Sequence, residues 1–151
     1  MTAPREEEQG ESLDDIRRDE EEAARPAELF YGNVNEFVTE RLIYFVPCPA
    51  PGSGRVWCSE WYRHAAALSR LDSVWRAWEH LRLDPAMGMS NWWLYHADPH
   101  LRALMDPVTG PFGNCVDGHQ SMEPLPVHTP PDGLFTDQRG QLGVNDPFAL
   151  D

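Results

Sequence analysis

Apolar residues recur at intervals of three and four through the middle of the chain, and both ends lose that rhythm. Val34, Phe37, Val38, Leu42, Phe45 and Val46 fall on one side of a first predicted helix. Asn33 stands as its cap, Glu36 at the reciprocal position of a capping box, and Pro47 as its stop. The loop from Pro47 to Gly54 holds three prolines and two glycines, too broken for regular structure. A second and longest helix is predicted from a cap at Ser59 to Leu83, carrying Trp61, Ala65, Leu68, Leu71, Trp75, Trp78 and Leu81. Ser90 is the expected cap of a third, which runs through Trp92, Trp93 and His96. Asp98-Pro99 then either restarts or kinks it, and Leu101, Leu104 and Met105 follow up to Asp106-Pro107.

After Asp106, seven prolines and six glycines in 45 residues forbid another long helix. The expectation is an extended wrapping arm anchored by Leu125, Val127, Leu134 and Phe135. The fold class is therefore mainly α: a small three-helix domain with an irregular Pro/Gly-rich C-terminal arm and a disordered acidic N-terminal tail.

Composition sharpens the boundaries. The 151 residues carry a net charge of -13, and ten acids against four arginines lie in the first 27. That segment has almost no apolar residue to bury and repels itself, so 1–27 reads as a solvated tail, 28–135 as the helical domain and 136–151 as a loose end. All twelve basic residues are arginine, which fits GC-rich coding. No window approaches the roughly 18 apolar residues of a membrane span, and the N-terminus lacks a signal-peptide pattern, so a cytoplasmic protein with no membrane role is expected. The acidic balance also disfavours a nucleic-acid partner and leaves a protein partner as the expectation. Three cysteines, an odd number without framework spacing, read as reduced thiols or metal thiolates rather than as disulfides.

Metal-ligand character is confined to two segments, Cys58 with His64 and Cys115 with His119, which together offer two thiols and two imidazoles for a structural zinc. The spacings, Cys-x5-His and Cys-x3-His, are not those of a short zinc knuckle. His96 and His100 form a rival pair at i and i+4, interrupted by Pro99. Buried cysteine and histidine packing is the competing structural reading of all these residues. No nucleophile elbow, phosphate loop, dinucleotide fingerprint or His-Glu-x-x-His occurs, so no catalytic residue is expected. A metal-dependent hydrolase or nuclease accessory built on His96, Asp98 and His100 is the alternative, and a nucleic-acid-binding module the third. Six tryptophans fall in three pairs, four of them expected in the core. Trp78, Arg76, Arg82, Trp92 and Trp93 are the expected interaction surface.

The ordered aromatic signatures resemble a known family. They are Leu29-Phe30-Tyr31-Gly32-Asn33-Val34-Asn35-Glu36-Phe37-Val38, Trp57-Cys58-Ser59-Glu60-Trp61-Tyr62-Arg63-His64, Trp75-Arg76-Ala77-Trp78-Glu79, Met89-Ser90-Asn91-Trp92-Trp93 and Gly110-Pro111-Phe112. The family is catalogued as domain of unknown function 4913 and is met in high-GC Gram-positive bacteria and in their plasmids, integrative elements and phages. The likeness covers Leu29 to Phe135; Tyr62 and Ala65 stand where the pattern more often has tryptophan and proline. It implies a non-enzymatic interaction or accessory protein of a mobile genetic element in a DNA-transfer or phage setting.

Overall fold

The computed structural model describes Ser12, Arg17 and residues 28–139, and every regular element among them is helical. The first helix, α1 (34–45), starts at the predicted cap, with the returning bond of the capping box taken by the residue before the cap. Asn33 is extended, its side-chain oxygen accepts the Glu36 N–H at 3.0 Å, and the Glu36 carboxylate accepts the Gly32 N–H at 2.8 Å. Phe37, Val38 and Leu42 are buried, the last two in a π-helical turn spanning Val38–Leu42. Val46 turns extended just before Pro47, which could not have continued the hydrogen-bond ladder.

The second predicted helix is split. A single 3-10 turn, Trp61–Arg63, comes first; His64 is extended at φ -104°, ψ 111°; and α2 then runs over Ala65–Leu81. The break also shifts the buried register: Ala65 and Leu68, expected on the core face, are exposed, and Ala67 is the first buried residue of α2. Ala67, Leu71, Val74, Trp75 and Trp78 fill the core from α2, and Asp72 pairs with Arg76 at 2.7 Å on the outer flank.

The third helix, α3 (88–105), begins two residues before the predicted cap at Ser90. Its start is set by Asp84, whose carboxylate accepts the Ala86 N–H at 2.9 Å, and by the close passage of Gly88 under the end of α2. A Cβ at Gly88 would lie 1.9 Å from the Leu81 carbonyl oxygen, so only glycine fits. Between the two readings of Asp98-Pro99, the structure takes the continuous helix. Asp98 is itself helical at φ -60°, ψ -46°, and the preceding turn, Trp92–Ala97, is widened to a π-helix. Proline removes one donor and crowds the carbonyl four residues back; a wider turn accommodates both without ending the helix.

Trp61, Trp75, Trp78 and Trp92 are buried, and Trp57 and Trp93 pack partly against them. The neighbours Trp92 and Trp93 differ because residues about 100° apart on a helix cannot both face one core. Trp92 is fully enclosed and donates its indole N–H to the Val74 carbonyl at 3.0 Å, which satisfies the polar atom that a buried indole carries.

The segment after α3 packs through Phe112, which is fully buried and meets the Trp57 and His64 rings at 5.1 and 5.2 Å. This compact unit extends to Ser121, and the described residues from Met122 onward belong to a second. Of the residues expected as anchors of a wrapping arm, Leu125 and Val127 are each 87% exposed, and Leu134 and Phe135 are exposed as well. In the stretch from 106 to 121, Pro111, Phe112 and Cys115 are the buried residues. The expected acidic tail (1–27), apart from Ser12 and Arg17, and residues 140–151 of the expected loose end lie outside the described residues. No helix among the described residues is long and apolar enough to cross a membrane.

Candidate metal centre

The break at His64 and the packing of Phe112 have one joint result. His64 leaves the helical path immediately after the 3-10 turn, which aims its ring back across Cys58; Phe112 carries Cys115 and His119 to the same place. The candidate ligand atoms of Cys58, His64, Cys115 and His119 all lie within 4.8 Å of one another. Cys58 Sγ is 3.7 Å from His119 Nδ1, Cys115 Sγ is 3.4 Å from His64 Nε2, and the two ring nitrogens are 3.1 Å apart.

These spacings can be compared with a tetrahedron. Bonds of about 2.3 Å to sulfur and about 2.0–2.1 Å to nitrogen place adjacent sulfur and nitrogen ligands about 3.6 Å apart and two nitrogens about 3.3 Å apart. The three edges observed match to within a few tenths of an ångström. Cys58, His64 and Cys115 are buried and His119 is half-buried, so the cluster sits at the inner end of the arm rather than on an open face.

The surroundings suit a bound cation better than four neutral side chains. The Gln120 N–H donates to Cys115 Sγ at 3.3 Å, and Cys58 accepts a backbone hydrogen bond from Glu60. Burial pushes the Cys58 thiol up, the Glu60 N–H lowers it, and the adjacent Cys115 raises it again. Burial also pushes His64 down, with His119 and Arg63 adding to the effect, which leaves the neutral imidazole whose lone pair a metal takes. A cation between the sulfurs would reverse the cost of two adjacent thiolates. On the outer side of the cluster, His119 Nε2 lies 3.5 Å from the Ser121 hydroxyl, a contact that helps orient the ring.

The rival residues behave differently. His100 Nδ1 faces the Arg70 guanidinium at 3.4 Å, and burial and then Arg70 push its pKa down. His96, Asp98 and His100 do not join a convergent group: among the described residues, the Cys58 cluster alone brings three or more ligand-type side chains together.

The expected interaction surface is corrected. Trp78 and Trp92 are 6% and 0% exposed and belong to the core, while Trp93 leans on Phe45 with ring centres 5.7 Å apart. Arg76 is taken up by Asp72, and Arg82 donates to Glu79 at 2.9 Å and to the Glu28 carbonyl at 2.7 Å. The tryptophan spacing that suggested a contact face is the spacing of helix packing. Glu79, absent from the expected sites, proves central. Its buried carboxylate accepts the Phe30 and Tyr31 N–H groups at 2.9 and 2.8 Å and the Trp75 indole N–H at 3.2 Å, besides pairing with Arg82. Its sequence signal was weak, an acid four residues after Trp75 on a mostly apolar helix face.

Fold and cluster together define a small helical domain in which the irregular segment after α3 brings Cys115 and His119 beside Cys58 and His64. The family model described as Domain of unknown function (DUF4913) matches residues 31–131, and the chain belongs to that family. No curated protein and no solved structure matches the chain.

Proposed function

We propose that this protein is a non-enzymatic interaction or accessory module of a mobile genetic element, held in shape by a structural zinc ion on Cys58, His64, Cys115 and His119. The observation that carries the metal reading is the meeting, within 4.8 Å, of two thiols and two imidazoles from segments more than fifty residues apart in the chain. Zinc is the metal this ligand set suits. Four protein ligands complete a tetrahedron and leave no open position for a substrate or reactive water, which supports a structural over a catalytic role. The three free cysteines accord with a reducing compartment such as the cytoplasm.

An interaction role is supported by apolar side chains left outside the core, with Tyr44, Tyr95, Leu94 and Ile43 all at least half exposed. The pairing of Arg63, Arg76 and Arg82 with acids favours a protein partner over a phosphate backbone. The mobile-element setting rests on the family resemblance. Elemental analysis of the full chain purified without chelator is expected to give one zinc per molecule. Cys115→Ser and His64→Ala should each lose the metal, and chelation should lower the melting temperature of the wild type. Metal-free protein whose melting is indifferent to added zinc and to chelator overturns the metal reading.

A further inference from the structure

We infer that Cys58 and Cys115 are an oxidisable pair, converted by a peroxide-class oxidant from two metal thiolates into an intramolecular disulfide with release of the metal. The inference rests on the zinc reading above and adds a modification to the same site. Three observations carry it. The two sulfurs lie within 4.8 Å of each other. Neither cysteine belongs to a regular helix, Cys58 preceding a 3-10 turn and Cys115 lying in the turn-rich segment after α3, so both can shift to the roughly 2 Å that a disulfide requires. The pair also borders a recess of about 640 Å³, lined by Cys48, Trp57, Cys58, Cys115, Gly118 and His119, through which a small oxidant reaches otherwise buried sulfurs.

The chemistry balances without another reagent. One thiolate attacks a peroxide oxygen, the O–O bond breaks, and hydroxide departs to leave a sulfenic acid. The second thiolate attacks that sulfur, the S–S bond forms, and a second hydroxide leaves. Two electrons have passed from the sulfurs to the peroxide, and the metal, deprived of both thiolates, dissociates. His119 loses its attachment while Cys115 stays tethered to Cys58. One clasp thus replaces the other, and the exchange is reversible by a thiol reductant with zinc. Cys48 shares the recess, but its Sγ lies 3.9 Å from the carbonyl of its own neighbour Pro49, and nothing places it against either ligand sulfur.

The test uses zinc-loaded full-length wild type and Cys48→Ser, treated with stoichiometric hydrogen peroxide. Both should release zinc one-for-one with the oxidant and lose two titratable thiols. Each should also lose the mass of two hydrogens and yield a Cys58–Cys115 peptide on non-reducing digestion; dithiothreitol plus zinc should restore the starting state. Zinc retained with its thiols intact overturns the inference and leaves the zinc reading standing. So does release accompanied only by a Cys48 disulfide or by sulfinic acid. A protein that holds no zinc before oxidant is added removes the zinc reading, and this inference with it.

Discussion

Glu79 shows how one carboxylate fixes a chain entry. Burial would raise its pKa, yet the Phe30 and Tyr31 N–H groups, Arg82 and Trp75 together lower it from its ordinary 4.5. The charged form is therefore favoured by the folded state, and its contribution is present above 4.5 and lost as pH falls through the lowered folded value. Glu79→Gln, which mimics the protonated acid, should destabilise the domain at neutral pH. In denaturant titrations its deficit should shrink steadily below pH 4.5. Glu79→Ala should cost about 3 kcal/mol or more at neutral pH, because it strands buried donors and one partner of a largely buried ion pair. The arginines gain a meaning at this scale that coding bias does not give them. Arg41 lies 5.4 Å from the Trp78 ring centre and donates to the Tyr31 hydroxyl at 2.9 Å, and Arg82 lies 5.7 Å from the same ring. A planar guanidinium can stack flat on a ring and hydrogen-bond in its own plane at once, a geometry that an ammonium lacks.

Among the elements, the departures from ideal helix are where the architecture is decided. Gly88→Ala should lower stability by about 1–3 kcal/mol, read as a drop in melting temperature, because the ends of α2 and α3 must separate to admit a methyl group. The rhythm of α1, α2 and α3 was legible from the sequence because apolar periodicity reports which face is buried. The Asn33–Glu36 capping box was legible because it is a local hydrogen-bond pattern. The break at His64 was not, since Trp61, Ala65 and Leu68 keep helical spacing on both sides of it. Nor were the π turns at Val38–Leu42 and Trp92–Ala97, which leave the apolar spacing intact.

For the whole molecule, all four candidate ligands lie inside the unit that ends at Ser121. A chain ended there should keep full zinc stoichiometry in elemental analysis; loss of metal would place a needed support beyond that residue. In the full chain, chelation should raise amide exchange most across residues 110–121 and least across α2. Residues 110–121 pack through Pro111, Phe112 and Cys115 only, whereas α2 is held along its whole length by core packing.

By itself the sequence determined the helical class, the recurrence of apolar residues along each helix, the α1 cap and the two Cys/His segments that compose the cluster. Each of these is local, set by spacing of three or four residues or by residue chemistry. Tertiary structure alone decided that the two segments meet, that Trp78 and Trp92 lie inside, and that Glu79 receives the chain entry. Those outcomes depend on contacts roughly fifty residues apart, between sites whose separation in the chain bears no relation to their separation in space. The charge on the described arginines followed the same rule. Composition counted the charges, and packing determined which of them were already paired.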